Sequence, residues 1–186
     1  MSNVKGAAVT ARLRYVRERH GEAGLARLLA EVPADVRAVL EAHVLAQAWV
    51  PFDAFLALCV AADRLFGRGD LALCYDLGRY AAEVNLPTVY RIFYRLGSVQ
   101  YIFRKAAQLW GLHYDSGRLV AIDEGNGAAR LEIVGFDRPH RVHCLSVLGW
   151  AARSVELSGG EMLRAEEERC RVRDGAETCE IVLRWR

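Results

Sequence analysis

The sequence predicts an α+β fold, in which a helical N-terminal half packs on a mostly antiparallel four-stranded sheet with a helix between two hairpins. Two observations carry this. Up to about residue 114, apolar residues recur at three- and four-residue steps, as in Val9, Leu13 and Val16 or Leu25, Leu28 and Leu29. Beyond Asp115 the spacing changes to strand-like runs separated by glycine-rich turns.

Taken in order, Val36, Leu40 and Val44 extend the helical pattern, and Pro33 and Pro51 stand where a first helical turn tolerates a missing N–H. Asp53 then favours the start of a helix that runs to about Phe66, and Gly67-Arg-Gly-Asp70 breaks it. A helix over 71–84 is expected to end at Asn85, Leu86 and Pro87, and an aromatic-rich helical stretch follows to Tyr114 with a break at Gly97-Ser98. Strands over 119–122 and 129–136 join through Asp123-Glu-Gly-Asn-Gly127 as a hairpin. A helix over 140–157 carries Cys144, Leu148, Ala151 and Val155 on one face and stops at Ser158-Gly-Gly160. Strands over 161–171 and 178–185 flank the turn at Arg173-Asp-Gly-Ala176.

At 186 residues the chain is read as one domain over 1–186, mainly helical to 114 and strand-strand-helix-strand-strand from 115. Hydrophobic residues at 53% and charged residues at 26% exclude a disordered chain. A net charge of +2 is too small to recruit nucleic acid or an anionic membrane. The most apolar stretch, 43–62, carries Gln47, Pro51 and Asp53, so no membrane span is expected. The start Met1-Ser-Asn-Val-Lys-Gly6 has no apolar signal region, which points to a cytoplasmic location. Five cysteines, an odd number, speak against a disulfide framework and for thiols that are buried or metal-bound.

Cys144, Cys170 and Cys179 fall in the C-terminal unit, and pairing of its last strands brings Cys170 and Cys179 together. Tetrahedral metal sites draw soft thiolates from such elements, with Glu167 or His143 available as a fourth ligand. The spacing equally suits three buried thiols acting as small hydrophobes, and Cys59 and Cys74, on apolar helices without a partner at ligand spacing, fit that description. A second cluster is aromatic: Tyr90, Phe93, Tyr94, Tyr101, Phe103, Trp110 and Tyr114. Such a stretch either packs on the sheet or lines a small-molecule pocket.

The segment Cys144-x22-Glu167-x2-Cys170-x8-Cys179, with its Arg171-x-Arg-Asp-Gly175 turn, resembles the end of a V4R (4-vinyl-reductase-like) domain, a relative of Bet3-like domains. The likeness extends more weakly upstream to Leu77-Gly78. With its Val4-Lys-Gly6 start and Gly149-Trp150 helix, the chain also resembles a myxobacterial paralogous family. The resemblance implies a structural zinc held by Cys144, Glu167, Cys170 and Cys179, its excess negative charge offset by Arg141, Arg169 or Arg171. It further implies a pocket for an apolar or aromatic small molecule formed by Tyr90, Arg91, Phe93, Tyr94, Tyr101, Trp110 and Tyr114, and a homodimer through the N-terminal helices. Residues 117–136 contain no His or Trp, which speaks against phenol sensing, so Arg91 or Arg95 is the candidate for an acidic headgroup.

No local motif sets a nucleophile beside a base, and Glu166-Glu-Glu168 lies on a strand whose alternate residues face opposite sides. Gly67-Arg-Gly-Asp70 lacks the preceding strand of a nucleotide loop and reads as a plain helix connection. Arg12, Arg14, Arg17 and Arg19 form a basic helix, interrupted by Glu18 and Glu22, that reads as solvated or dimer-facing. The expected function is a non-catalytic small-molecule sensor that signals through a partner protein. A ligand-free dimeric adaptor is the alternative, followed by an enzyme of pigment or lipid metabolism.

Overall fold

The computed structural model describes residues 2–42, 44–96, 99–108 and 110–186, with 86–96 and 100 described by their backbone alone. The chain opens with a short strand, β1 (Asn3–Lys5), and not with the expected helix. β1 pairs antiparallel with β2 (Trp49–Pro51), which sets the buried Val4 opposite the buried Val50. Three-residue strands are too short to show a period in sequence, so this ribbon could not be read there.

Between them lie α1 (Gly6–Glu31) and α2 (Ala34–Glu41). α1 is broken at Gly21, whose φ of 69° puts it in the left-handed region that glycine enters without strain. Pro33 precedes α2 and Pro51 precedes α3 (Phe52–Phe66), so both prolines begin helices as expected. The connection to α4 (Leu73–Leu96) is fastened by Asp63, which is fully buried and accepts from the N–H groups of Leu71 at 2.9 Å and Leu73 at 3.1 Å.

α4 does not stop before Pro87 but continues to Leu96, followed by α5 (Val99–Gln108) and a 3-10 turn at Trp110–Leu112. A proline inside a helix costs one backbone hydrogen bond, and packing of the rest of the helix outweighs that local signal. The remaining elements are β3 (Arg118–Gly125), β4 (Ala128–Val134), α6 (Arg141–Leu157), β5 (Met162–Arg169) and β6 (Cys179–Trp185). These strands form an antiparallel sheet in the order β3-β4-β6-β5.

Alternation sets one face of the sheet inward: Ala129, Leu131 and Ile133 of β4 beside Cys179, Ile181 and Leu183 of β6 are all buried. α6 connects the two hairpins, and α4 lies against it. The contact is backbone-close because Gly78 faces the Ser146 carbonyl and Gly149 faces the Tyr75 carbonyl; a Cβ at either would sit 2.1 or 2.0 Å from that oxygen. One hydrophobic cluster, including Phe52, Phe55, Leu77, Phe103, Phe136 and Leu183, joins the helical half to the sheet.

Candidate functional site

Three places concentrate chemistry, and the first is the thiol cluster. His140 caps α6, its Nδ1 accepting from the Val142 N–H at 3.1 Å, so Cys144 falls in the first turns of the helix. Cys170 just after β5 and Cys179 at the start of β6 meet it there. The Cys144 thiol donates to Cys179 Sγ at 3.4 Å and lies 3.9 Å from Cys170 Sγ. With Glu167, the ligand atoms of these residues all lie within 4.8 Å of one another.

The sulfurs also receive backbone donors: the Arg171 N–H reaches Cys179 Sγ at 3.4 Å and the Arg173 N–H reaches Cys170 Sγ at 3.4 Å. The Cys144 hydrogen bond pulls the Cys179 thiol down to about 6 against the effect of burial, with help from the Arg171 N–H. The same bond, then burial, pushes Cys144 up, in line with its place as the donor of the pair. Glu167 accepts from Arg141, which also touches Cys170 Sγ at 3.4 Å, and from Arg173 at 3.4 Å. Its Oε1 is buried and has no hydrogen-bond partner.

Of the arginines expected beside a zinc site, Arg141 lies against Glu167 and Cys170, and Arg173, which sequence spacing did not single out, joins it. Arg169 instead pairs with Glu180 at 3.6 Å, and the Arg171 side chain donates to the Phe136 carbonyl at 2.7 Å. His143 points away from the thiols. It stacks on Phe136 at 4.3 Å and meets Tyr114 at 4.8 Å, Phe52 at 5.4 Å and Trp110 at 5.7 Å.

This aromatic cage is the second place. His143 is 1% exposed, its Nε2 has no partner, and burial followed by the Arg12 charge lowers its imidazole to about 3. Burial raises the Tyr114 phenol to about 12. Of the expected pocket residues, Trp110 and Tyr114 sit in this cage, 4.5 Å apart, and Tyr101 lies on α5. Tyr90, Arg91, Phe93 and Tyr94, and Arg95 with them, lie outside the described side chains.

The third place is a chamber of about 500 Å³ between α1, α2 and the middle of α4. Leu13, Leu29, Leu40 and Val84 wall it, and Arg14 and Arg17 give it a charged rim. The sequence pattern shows these leucines only as core positions, since an unfilled space between helices leaves no period of its own.

No family model matches this chain, and no curated protein matches it. Solved structures do. An H-NOX protein from S. oneidensis in the Fe(II)NO ligation state is similar over 98% of this chain and 99% of its own, with a TM-score of 0.74 and 12% identity. An H-NOX structure from work on heme distortion gives 0.68 and 14% over 98% of this chain and 95% of its own. An oxygen-binding H-NOX domain related to soluble guanylate cyclases, in its oxygen complex, gives 0.65 and 14% over the same shares.

These likenesses correct the V4R and Bet3-like assignment and the myxobacterial family with it: the whole-chain path is that of the H-NOX fold. The earlier resemblance rested mainly on the last third of the chain, where thiol spacing reflects how a helix meets a hairpin and not one family. Structural zinc as the cofactor is corrected too. The solved structures of this fold are described with iron and heme, and in this chain Arg141 and Arg173 meet the charge that zinc was to neutralise.

Heme in its turn needs an iron ligand, His, Cys, Met or Tyr, beside a flat cavity. Residues 75–112 contain no His, Cys or Met, and of their tyrosines, Tyr75, Tyr80, Tyr90, Tyr94 and Tyr101, Tyr80 is engaged by Glu18. None of the residues lining the chamber is a His, Cys, Met or Tyr. His20 and His113 are exposed, His140 caps α6, His143 is enclosed by rings, and His43 lies outside the described residues. The thiols of the cluster are engaged with one another, and Cys59 and Cys74 are fully buried. The described histidines and cysteines do not fit heme iron. Among the described residues, the H-NOX-like fold carries no His, Cys or Met that stands free beside the space between α1, α2 and α4.

Proposed function

We propose that this chain is a single-domain, non-catalytic small-molecule sensor built on the H-NOX fold, with its ligand held in the chamber between α1, α2 and α4. The observation that supports the reading is this half-open space of about 500 Å³, in which Leu13, Leu29, Leu40 and Val84 offer contact to an apolar body and Thr10, Glu41 and Asn85 offer polar handles, while Arg14 and Arg17 at its edge pair with Glu18 and Glu22. Its position supplies a route for the signal. α4 walls the chamber and, two turns earlier, lies against α6 through Gly78 and Gly149, so displacement of α4 by a ligand moves the helix that holds the sheet. Occupancy would then be read by a partner protein on the sheet half.

The test is a melting screen with uncharged aliphatic and aromatic molecules, run on the wild type and on Ala11→Phe, which fills the chamber. A saturating ligand should raise Tm by about 5–10 °C in the wild type. The rise, measured against the variant's own Tm, should vanish in Ala11→Phe. An equal rise in both, or none in either, would contradict the chamber as the ligand site.

The thiol cluster supports a second element. We infer that Cys144, Glu167, Cys170 and Cys179 can accept a soft cation when Arg141 withdraws, because the orphaned Glu167 Oε1 is a buried acceptor without a donor.

A further inference from the structure

Along α1 the chamber is lined by Thr10, Ala11, Leu13, Arg14 and Arg17. Arg12 turns the other way, 3% exposed, with its guanidinium over the Phe55 ring at 4.9 Å. Polar groups therefore stand at both ends of the lining face, Thr10 at one and Arg17 at the other, two turns or about 10 Å apart along the helix axis. Leu13 lies between them, so a ligand body of that length meets aliphatic wall with a polar group at each end.

The two ends differ in chemistry. At the first, Thr10 Oγ1 donates to the Ala7 carbonyl at 3.3 Å, and Asn85 Nδ2, reaching across from α4, donates to the same oxygen at 3.3 Å. A carbonyl only accepts, so this contact fixes which end of the Asn85 amide is the nitrogen. The threonine hydroxyl has then spent its one proton, and Asn85 keeps a single N–H. What the half-buried pair has left is mainly acceptor: the hydroxyl lone pairs and Asn85 Oδ1, to which no donor among the described residues hydrogen-bonds. At the other end the guanidinium groups are already engaged, Arg14 by Glu18 at 2.7 Å and Arg17 by Glu22 at 2.7 Å. Glu18 also accepts from the Tyr80 hydroxyl at 2.6 Å, and the exposed Glu41 adds a further carboxylate. A charged head meets both signs there, and exposed ion pairs contribute little.

We propose that the ligand of this chamber is an uncharged aliphatic molecule whose head donates a hydrogen bond, an alcohol or a primary amide, and that Thr10 and Asn85 are the residues that select it. The inference rests on the chamber as the ligand site and adds the class of molecule that the site takes. A hydroxyl or amide head supplies the proton that Thr10 Oγ1 and Asn85 Oδ1 lack. An ether or ester of the same shape brings only acceptors, and sets oxygen against oxygen after water has been displaced from both. A site built to bond a hydroxyl rejects the analogue without one for this reason. A carboxylate adds charge to the same mismatch, because the arginines that could meet it are held by Glu18 and Glu22.

The full chain is titrated calorimetrically with n-octanol, with its isomer methyl heptyl ether and with octanoate. The wild type should bind n-octanol about tenfold more tightly than either of the others. In Asn85→Leu the alcohol should weaken about tenfold while the ether is unchanged, so that the preference disappears. Thr10→Val, which keeps the shape of the side chain, tests the same contact if Asn85→Leu fails to fold, and should narrow the preference in the same direction. Equal affinity for the alcohol and the ether in the wild type, or tighter binding of octanoate, with binding still abolished in Ala11→Phe, would overturn the donor head and leave the chamber standing. Binding that persists in Ala11→Phe, or no binding of any of the three, would overturn the chamber and this inference with it.

Discussion

Glu167 shows how much one atom can decide. Its Oε2 is engaged by Arg141 and Arg173, while its Oε1 is buried without a partner, an arrangement that costs folding energy unless something fills it. Cobalt(II), whose thiolate complexes absorb visibly, is the probe for this position. Arg141→Ala should bind cobalt(II) about tenfold more tightly than the wild type, since one competing cation is removed, and Cys170→Ser should abolish the thiolate band. Equal cobalt affinity with and without Arg141 would show that the guanidinium does not guard the site. The meeting of Cys144, Glu167, Cys170 and Cys179 was legible in the sequence because each sits near an element end. Arg173 was not, since its reach back to Glu167 depends on how the turn after β5 folds. Arg12 was misread for the opposite reason: charge patterning sees four arginines on a helix but not which of them faces Phe55.

At the scale of elements, the contact between α4 and α6 is the hinge of the account. Glycine lets the two backbones approach, so Gly149→Ala, which drives a Cβ into the Tyr75 carbonyl, should cost about 3 kcal/mol in a denaturant titration. A loss below about 0.5 kcal/mol would mean that the helices have room to separate. Across the same contact, Arg79 donates to both carboxylate oxygens of Glu156, at 2.9 and 2.8 Å, and Arg153 donates at 2.6 Å. The Arg79 hydrogen bonds hold the Glu156 carboxyl below its usual range against the effect of burial. A carboxyl lowered in the folded state stabilises above its unfolded value, and that contribution is lost as pH falls through the lower folded value. Glu156→Gln should therefore cost about 1 kcal/mol at pH 7 and progressively less below about pH 4. A cost that stays constant with pH would place it in packing instead of charge.

For the whole molecule, the sequence showed the class and the C-terminal half closely: both hairpins, the helix between them and its start at His140 follow from period and turn chemistry. Less was legible in the N-terminal half. The β1–β2 ribbon is too short for periodicity, and α4 runs through a proline that local propensity reads as a stop. Fold-family identity was misread because the residues that carried the resemblance cluster at one end, whereas the H-NOX likeness rests on the path of nearly the whole chain. The space between α1, α2 and α4 was invisible for a general reason: a sequence records which side chains are apolar, not which of them fail to meet. On the function proposed above, the space between α1, α2 and α4, and not heme iron, receives the ligand. The most direct test is native mass spectrometry, with an absorption spectrum, of the full chain purified from heme-supplemented cells. The account predicts no heme adduct and no Soret band, with a small organic molecule bound by the wild type and absent from Ala11→Phe. One heme per chain with a full Soret band would contradict it.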